Sequence, residues 1–436
     1  MKGKLDEKLV KKIASEVNLA LAKESQRGIR QMSFGQREKI ITEIRRMTLE
    51  NAETFAQMAV EETGMGKLED KIAKHQLVAE KTPGTEDIAV RTWSGDSGLT
   101  MVEMSPYGII GAITPSTNPS ETVICNTIGM LAGGNTVVFS PHPSAIKTSL
   151  AAIDMLNRAS KSAGGPAKIA FTASNDTILG HKDIELIVAT GGPKLVEAAL
   201  RSGKRAIGAG AGNPPVLVDD TADIRKAAKD IIDGCTFDNN LPCIAEKAIV
   251  ALDSIADNLM RHMVEEQDCY PASKEELAIL EALVFSEKGL NRACVGKSAD
   301  YLLGMIGIKA GRAIRCIVFE GAKEHPLIAN ELMMPIIGMV RAPDFHDAVK
   351  KALWLEDWHR HSALIHSKNI EHIRYYERAM DSTILVKNAP SYTALGFGGE
   401  GFCSFTIASR TGEGLTSAST FTRRRRSVAV IGGGIT

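Results

Sequence analysis

The sequence predicts an α/β chain, with a parallel, doubly wound sheet covered on both faces followed by a second α/β domain. Three observations carry that expectation. After a helical opening, apolar runs of strand length alternate with helix-length amphipathic stretches. The alternation comes in two successive sets, and the strand-like runs are almost continuously apolar, as strands covered on both faces require. In order along the chain, Leu9, Ile13, Val17 and Leu21 mark one face of a first helix, and Ile40, Ile41, Ile44 and Met47 mark a second. Thr82-Pro83-Gly84 ends this part, and Leu99 to Met104 reads as an extended arm. The first set places strands near Ile109–Ile113, Thr136–Phe139, Lys168–Phe171, Ile184–Ala189 and Val216–Val218, with helices from Glu121, Ser144, Lys194 and Ala222. The second places strands near Ala248–Leu252, Ile314–Phe319, Ile336–Val340, Ala363–Ile365 and Ile384–Val386, with helices from Ser254, Lys274, Asp344 and Asn369. The tail Ser427–Val430 is β-prone, and Arg423–Arg426 before it is expected to be a solvated or interface strand edge.

Composition narrows the function classes. With 436 residues, 44% apolar and 24% charged, the chain is neither disordered nor collagen-like. Basic and acidic residues balance at 52 each, so no global field points to nucleic acid or an anionic membrane as a partner. Met1 to Glu16 is Lys-rich without the apolar core of a signal peptide, and no apolar run is long enough for a membrane span, so a cytoplasmic location is expected. Seven scattered cysteines with no CxxC pair do not read as a disulfide framework or zinc site. The question they leave is whether one is a nucleophile.

Cys243, in Phe237-Asp238-Asn239-Asn240-Leu241-Pro242-Cys243-Ile244-Ala245-Glu246-Lys247, sits on a Pro-led turn before a predicted strand, where Lys247 can help to lower its pKa. A small buried core thiol is the alternative reading. Asn118 lies in Thr114-Pro115-Ser116-Thr117-Asn118-Pro119-Ser120-Glu121, between a strand and a helix. Ser120 or Thr117 can cap that helix, whereas Asn118 offers an amide donor of the kind that stabilises an oxyanion. Thr190-Gly191-Gly192-Pro193 opens a helix with backbone N–H groups available to a phosphate, or simply turns the chain. Gly208-Ala209-Gly210-Ala211-Gly212 removes almost every side chain and holds no acid or base. Glu331 suits a ribose hydroxyl or an exposed position equally. His359, His361 and His366 look like metal-ligand material, with His359 and His361 on one face of an extended segment, but no Asp, Glu or Cys at ligand spacing joins them, so no metal is expected.

Taken together, Thr63-Gly64-Met65-Gly66, Ala112–Glu121, Phe139–Pro143, Thr190–Pro193, Gly208–Val218, Phe237–Lys247, Val386–Ser391 and Gly398–Phe402 resemble the aldehyde dehydrogenase superfamily, specifically its CoA-acylating propionaldehyde and acetaldehyde branch. The resemblance runs from about Arg37 to Val430. It implies a Rossmann-like NAD-binding domain (1–86 and 106–212), an α/β catalytic domain (213–402) and a β oligomerisation arm (87–105 and 420–431). It makes Cys243 the nucleophile, Asn118 the oxyanion-hole asparagine and Glu331 the partner of the nicotinamide ribose. NAD contacts are implied at Thr114, Pro115, Ser116, Ser140, Pro141, His142, Thr190, Gly191 and Gly192, and His361 matches a histidine able to assist CoA or to serve packing.

Two departures are informative. The general-base glutamate of hydrolytic relatives falls at Ala209, which leaves water without an activator and makes the thiol of coenzyme A the sensible acyl acceptor. The lysine that many relatives set against the adenosine ribose is replaced around Pro141-His142. The implied activity is reversible, NAD-dependent oxidation of propionaldehyde or acetaldehyde to acyl-CoA by a homodimer or homotetramer. Many of this branch carry an N-terminal microcompartment address on a flexible linker. No Pro/Gly/Ser-rich linker separates the first two helices here, so that address is expected to be absent or altered, with shell or enzyme partners implied only if it persists. The rivals are a hydrolytic or phosphate-dependent relative and a catalytically silent binding homologue.

Overall fold

The computed structural model describes residues 7–287 and 289–430; the expected domain limits at residues 1–6 and 431 lie outside them. Two compact units result, one from the described parts of 1–62, 73–210 and 402–436, the other from 63–72 and 211–401. The division falls within the helix Leu68–Lys81.

The first unit holds a five-stranded parallel sheet in the order Ala170–Thr172, Thr136–Ser140, Ile109–Ile113, Ile184–Thr190, Arg205–Ala209. Ile109–Ile113 and Thr136–Ser140 are buried at every residue, the burial that their apolar runs predict. The fifth strand corrects the periodicity reading: Val216–Val218 belongs to the other unit, beyond residue 212 where the resemblance ends the first domain, and its place here is taken by Arg205–Ala209. That segment has an exposed Arg205 and interior Gly208, and the pattern of a short edge strand is weak. In the helix Glu7–Gln31, Leu19 and Ala22 pack into the core with Ile109, Ile113 and Val138. Leu9, Ile13, Val17 and Leu21 are the exposed face of that helix, because the sheet takes the neighbouring stripe.

A separate antiparallel sheet in the same unit joins Arg91–Gly95, Gly98–Pro106 and Thr422–Val430. Here the chain end is one nine-residue strand rather than a short one after a basic run, paired from Thr422↔Pro106 to Val430↔Gly98. Arg423–Arg426 lie inside it, exposed, with Arg425 paired to Glu103 at 2.6 Å.

The second unit is organised by a seven-stranded parallel sheet, Cys269–Pro271, Cys316–Glu320, Ile336–Ala342, Ala248–Leu252, Pro215–Val218, Ser362–His366, Ile384–Lys387. Its core joins Leu217, Val250, Ile317, Ile336 and Ile365 from the strands to Ala348, Val349, Ala352 and Tyr376 from the helices Phe345–Glu356 and Ile370–Met380. Among the described residues, no helix is long and apolar enough to cross a membrane.

Candidate active site

The second unit carries the thiol. Asp223 caps the helix Ile224–Thr236, which ends in a tight turn at Phe237–Asn240 where Asp238, Asn239 and Asn240 all have positive φ (47, 53 and 65°). Asp and Asn are the non-glycine residues that best tolerate this region, so three in succession let the chain reverse before Pro242 and Cys243. Side chains lock the turn. Asn240 Nδ2 donates to Cys235 O (2.8 Å) and Glu246 O (3.0 Å), and Asn239 Nδ2 donates to Gly296 O (2.9 Å). The Asp238 carboxylate is fully buried; it accepts from Lys67 N at 2.8 Å and pairs with Lys71 Nζ at 3.0 Å. Gly66 (φ 84°) is required beside it, since a Cβ there would lie 2.1 Å from Asp238 Oδ1. The Thr63–Gly66 motif is thus a brace for the cysteine turn. At its start, Phe237 packs on Tyr392 and Phe397 with ring centroids 5.3 and 5.7 Å apart.

Of the seven cysteines, Cys243 alone is not buried. Its thiol is nevertheless pushed up to about 12, first by desolvation, then by the Glu331 carboxylate. Lys247 acts in the expected direction, lowering it, but is outweighed. The buried Lys247 ammonium donates to Asn240 O (2.8 Å) and Asn240 Oδ1 (2.6 Å), and stands 4.0 Å from Glu331. Glu331 is half-buried rather than a surface carboxylate, and burial raises its pKa against the pull of Lys247 and His359.

His361 is buried among these groups. Its backbone N–H donates to Glu356 Oε1 (2.8 Å), its ring Nδ1 meets Ser362 Oγ at 2.8 Å, and its ring Nε2 is buried without a partner. Burial, then His359 and Lys247, hold it down to about 3, so the imidazole is neutral. Gly212 lies against this ring, where a Cβ would come within 2.8 Å of His361 Cγ. The extended segment expected through His359 and His361 is instead a turn. Asp357, Trp358 and Arg360 have positive φ, the strand starts only at Ser362, and His359 Nδ1 meets Glu356 O at 2.7 Å. Among the described residues, no group of three His, Cys, Asp or Glu is arranged to hold a metal ion.

The first unit brings together the cofactor candidates other than Glu331, which lies in the second. Thr114–Ser116, Ser140–His142 and Thr190–Gly192 follow three adjacent strands of the order 136–140, 109–113, 184–190, at their carboxyl ends and around the strand where the order reverses. That is where parallel α/β sheets bind nucleotides. The Thr114 hydroxyl is buried there with no partner, an orphan that suits a polar ligand. Gly192 is the N-cap of Pro193–Leu200 and brings no side-chain cap of its own. Thr190 Oγ1 meets Thr406 Oγ1 at 3.2 Å, and His142 Nδ1 accepts from Ser144 N at 3.1 Å. These residues fit a dinucleotide. Ala209 closes the strand Arg205–Ala209 and is buried.

Asn118 is the N-cap of Pro119–Ala132, but its side chain makes no capping bond. The capping expectation for Ser120 also fails, because Ser120 Oγ meets His75 Nε2 at 2.8 Å inside the unit.

The model of the aldehyde dehydrogenase family matches residues 10–417. The chain belongs to the aldehyde dehydrogenase family. It is 43% identical over 425 residues to the acetylating acetaldehyde dehydrogenase EutE of Escherichia coli K12, covering 94% of this chain and 90% of that protein. The solved propionaldehyde dehydrogenase from the Clostridium phytofermentans fucose utilisation bacterial microcompartment is 67% identical with a TM-score of 0.94, over 94% of this chain and 96% of that one. The Rhodopseudomonas palustris propionaldehyde dehydrogenase with bound propionyl-CoA is 46% identical, TM-score 0.93, over 96% of this chain and 94% of that one.

Within this aldehyde dehydrogenase, sequence reading missed Lys71, Lys74 and Glu246. All three are charged residues in patterns that ordinarily mean solvent. One signal was available: Lys74 stands three and four residues before Leu77 and Val78, on the stripe of its helix that becomes core.

Proposed function

We propose that this chain is a CoA-acylating aldehyde dehydrogenase, oxidising a short aldehyde such as propionaldehyde or acetaldehyde to the acyl-CoA with NAD, reversibly. The observation that carries this reading is Cys243, the one unburied cysteine, on a braced turn in the segment that resembles the family's nucleophile stretch. Relatives named for acetylating and CoA-propanoylating activity support it. So does the Rhodopseudomonas enzyme, solved with CoA and an acylated cysteine. The Clostridium enzyme has been solved with a cysteine and with a histidine replaced by alanine, as far apart in that chain as Cys243 and His361 are here.

In this mechanism Cys243 loses its proton to solvent, its thiolate forms a C–S bond to the aldehyde carbonyl carbon, and the C=O electron pair moves to oxygen. The Asn118 side-chain amide and the Cys243 N–H donate to that oxyanion. When bound, NAD would supply the hydride acceptor; Thr114–Ser116, Ser140–His142, Thr190–Gly192 and Glu331 are the residues that would hold it. Collapse of the oxyanion expels the hydride and leaves a thioester on Cys243. The CoA thiol, held by a hydrogen bond between its sulfur and Nε2 of neutral His361, loses its proton to solvent; the resulting thiolate attacks the thioester carbon and displaces the Cys243 thiolate. The unit with the five-stranded sheet is the cofactor domain and the other the catalytic one. Residues 87–105 and 420–430 form the oligomerisation arm, supported by the exposed Val428 and Val430 on an edge strand. The cell interior, or a microcompartment like that of the Clostridium relative, is the expected location.

Replacing Cys243 with Ala tests this. NADH formation from propionaldehyde is lost, and the acyl mass that intact protein accumulates on the Cys243 peptide without CoA no longer appears. Aldehyde oxidation by C243A at the wild-type rate would sink the assignment.

A further inference from the structure

An oxyanion donor must present its N–H end, and an asparagine amide alone does not guarantee this. Its donor and acceptor ends have nearly the same shape and exchange by rotation of one bond. In this structure Lys74 Nζ donates to Asn118 Oδ1. An ammonium has three donors and no acceptor, so only the carbonyl end of Asn118 can face it. The other end, Nδ2, is turned away, with a 3.4 Å contact to Thr117 Oγ1.

Lys74 is an unusual residue for this place. It is 0% exposed, and so is Glu121, whose Oε1 lies 3.3 Å from Lys74 Nζ. Burying such a pair gains little stability by itself. What the pair does here is local. Glu121 sits in the first turn of the helix that Asn118 begins, so the carboxylate balancing Lys74 and the amide held by Lys74 move as one piece. The backbone of Asn118 is fixed too, its carbonyl accepting from Thr122 N (3.1 Å) and Thr122 Oγ1 (2.6 Å). The neighbouring His75, stacked on Phe55 at 5.7 Å, meets Ser120 from the same side.

We propose that Lys74 is a positioning residue for the Asn118 amide: a buried ammonium balanced by Glu121 that fixes Oδ1 inward and presents Nδ2 as the donor. The charge-assisted bond also draws electron density from the amide, which makes its N–H a stronger donor. The proposal rests on the reading of Asn118 as the oxyanion donor.

The test is the rate of the first NADH turnover from propionaldehyde and NAD without CoA, in the full-length protein. The variant K74M/E121Q removes both charges together, so no buried charge is left uncompensated. We expect the rate to fall about 10- to 100-fold, with KM for NAD within about twofold of wild type, on the scale where an effect is negligible. K74R, still a pure donor, retains most of the rate. In an N118A background, K74M/E121Q produces no further loss, because the group through which Lys74 acts is gone. A wild-type first-turnover rate in folded K74M/E121Q, or a full additional loss in N118A, overturns the proposal. Should the double variant fail to fold, as read by thermal unfolding, K74Q serves the same comparison, since a glutamine can also accept and so no longer selects one amide orientation. If N118A alone leaves the rate unchanged, it is the Asn118 reading that fails, independently of Lys74.

Discussion

The surroundings of Cys243 hold its thiol in the protonated form. Desolvation and the Glu331 carboxylate both disfavour the thiolate, and Lys247 only partly offsets them. With the thiol pushed up to about 12, the thiolate fraction keeps rising through the whole ordinary pH range instead of saturating. Iodoacetamide alkylation of Cys243 should therefore accelerate steadily from pH 7 to 10 with no plateau. Substituting Glu331 by Gln removes the like charge, lowers the thiol pKa, and should speed alkylation at pH 8 by about 3- to 10-fold, the effect of roughly half to one pKa unit. A plateau near pH 8, or no acceleration in E331Q, would contradict this account of the thiol. The residues named from the sequence divide along a physical line. Cys243, Asn118 and Glu331 are singled out by the ordered motifs around them, since taken alone a cysteine reads as core and a glutamate as surface. Lys71, Lys74 and Glu246 are not, because a charged residue on a helix or beside a strand reads as solvated until its partner on a distant segment is known.

At the scale of elements, Glu246 joins the cysteine turn to the segment that starts at Ser391. Its carboxylate accepts from Ser391 N (2.9 Å) and Ser391 Oγ (2.7 Å), and the helix Ile224–Thr236 makes room for it at Gly234, where a Cβ would be 2.1 Å from Glu246 Oε2. Burial pushes this carboxyl up to about 8. A folded-state pKa above the unfolded value means the native protein holds the proton more tightly. The stabilisation is complete below about pH 4.5 and is lost as pH rises through about 8. Thermal stability should fall between pH 5 and 8.5 in the wild type by the equivalent of about 1–4 kcal/mol, and E246Q should flatten that fall. An identical pH dependence in both proteins would remove Glu246 as its source. The strands show how legible the elements are. Fully buried runs such as Ile109–Ile113 and Ala248–Leu252 were readable to the residue, because continuous burial leaves a continuous apolar signature. Arg205–Ala209 and Arg91–Gly95 were not, since edge strands need bury little.

For the molecule as a whole, the acyl acceptor decides which reaction the fold performs. The fold class and its two-sheet plan were legible because the strand and helix periods alternate twice along the chain. Which strands share a sheet was not, and Val216–Val218 changed sheets, because pairing is decided by contacts far apart in sequence. The acceptor is argued from a residue that is missing. Ala209 and its glycine neighbours put no acid or base where hydrolytic relatives keep a glutamate, so nothing at that point activates water, whereas a CoA thiol supplies its own thiolate. The most direct test is to follow NADH at saturating propionaldehyde and NAD with and without CoA. One turnover per site is expected without CoA and continuous turnover with it, the product being propionyl-CoA. Sustained NADH formation without CoA, at a rate that CoA does not change, would contradict it.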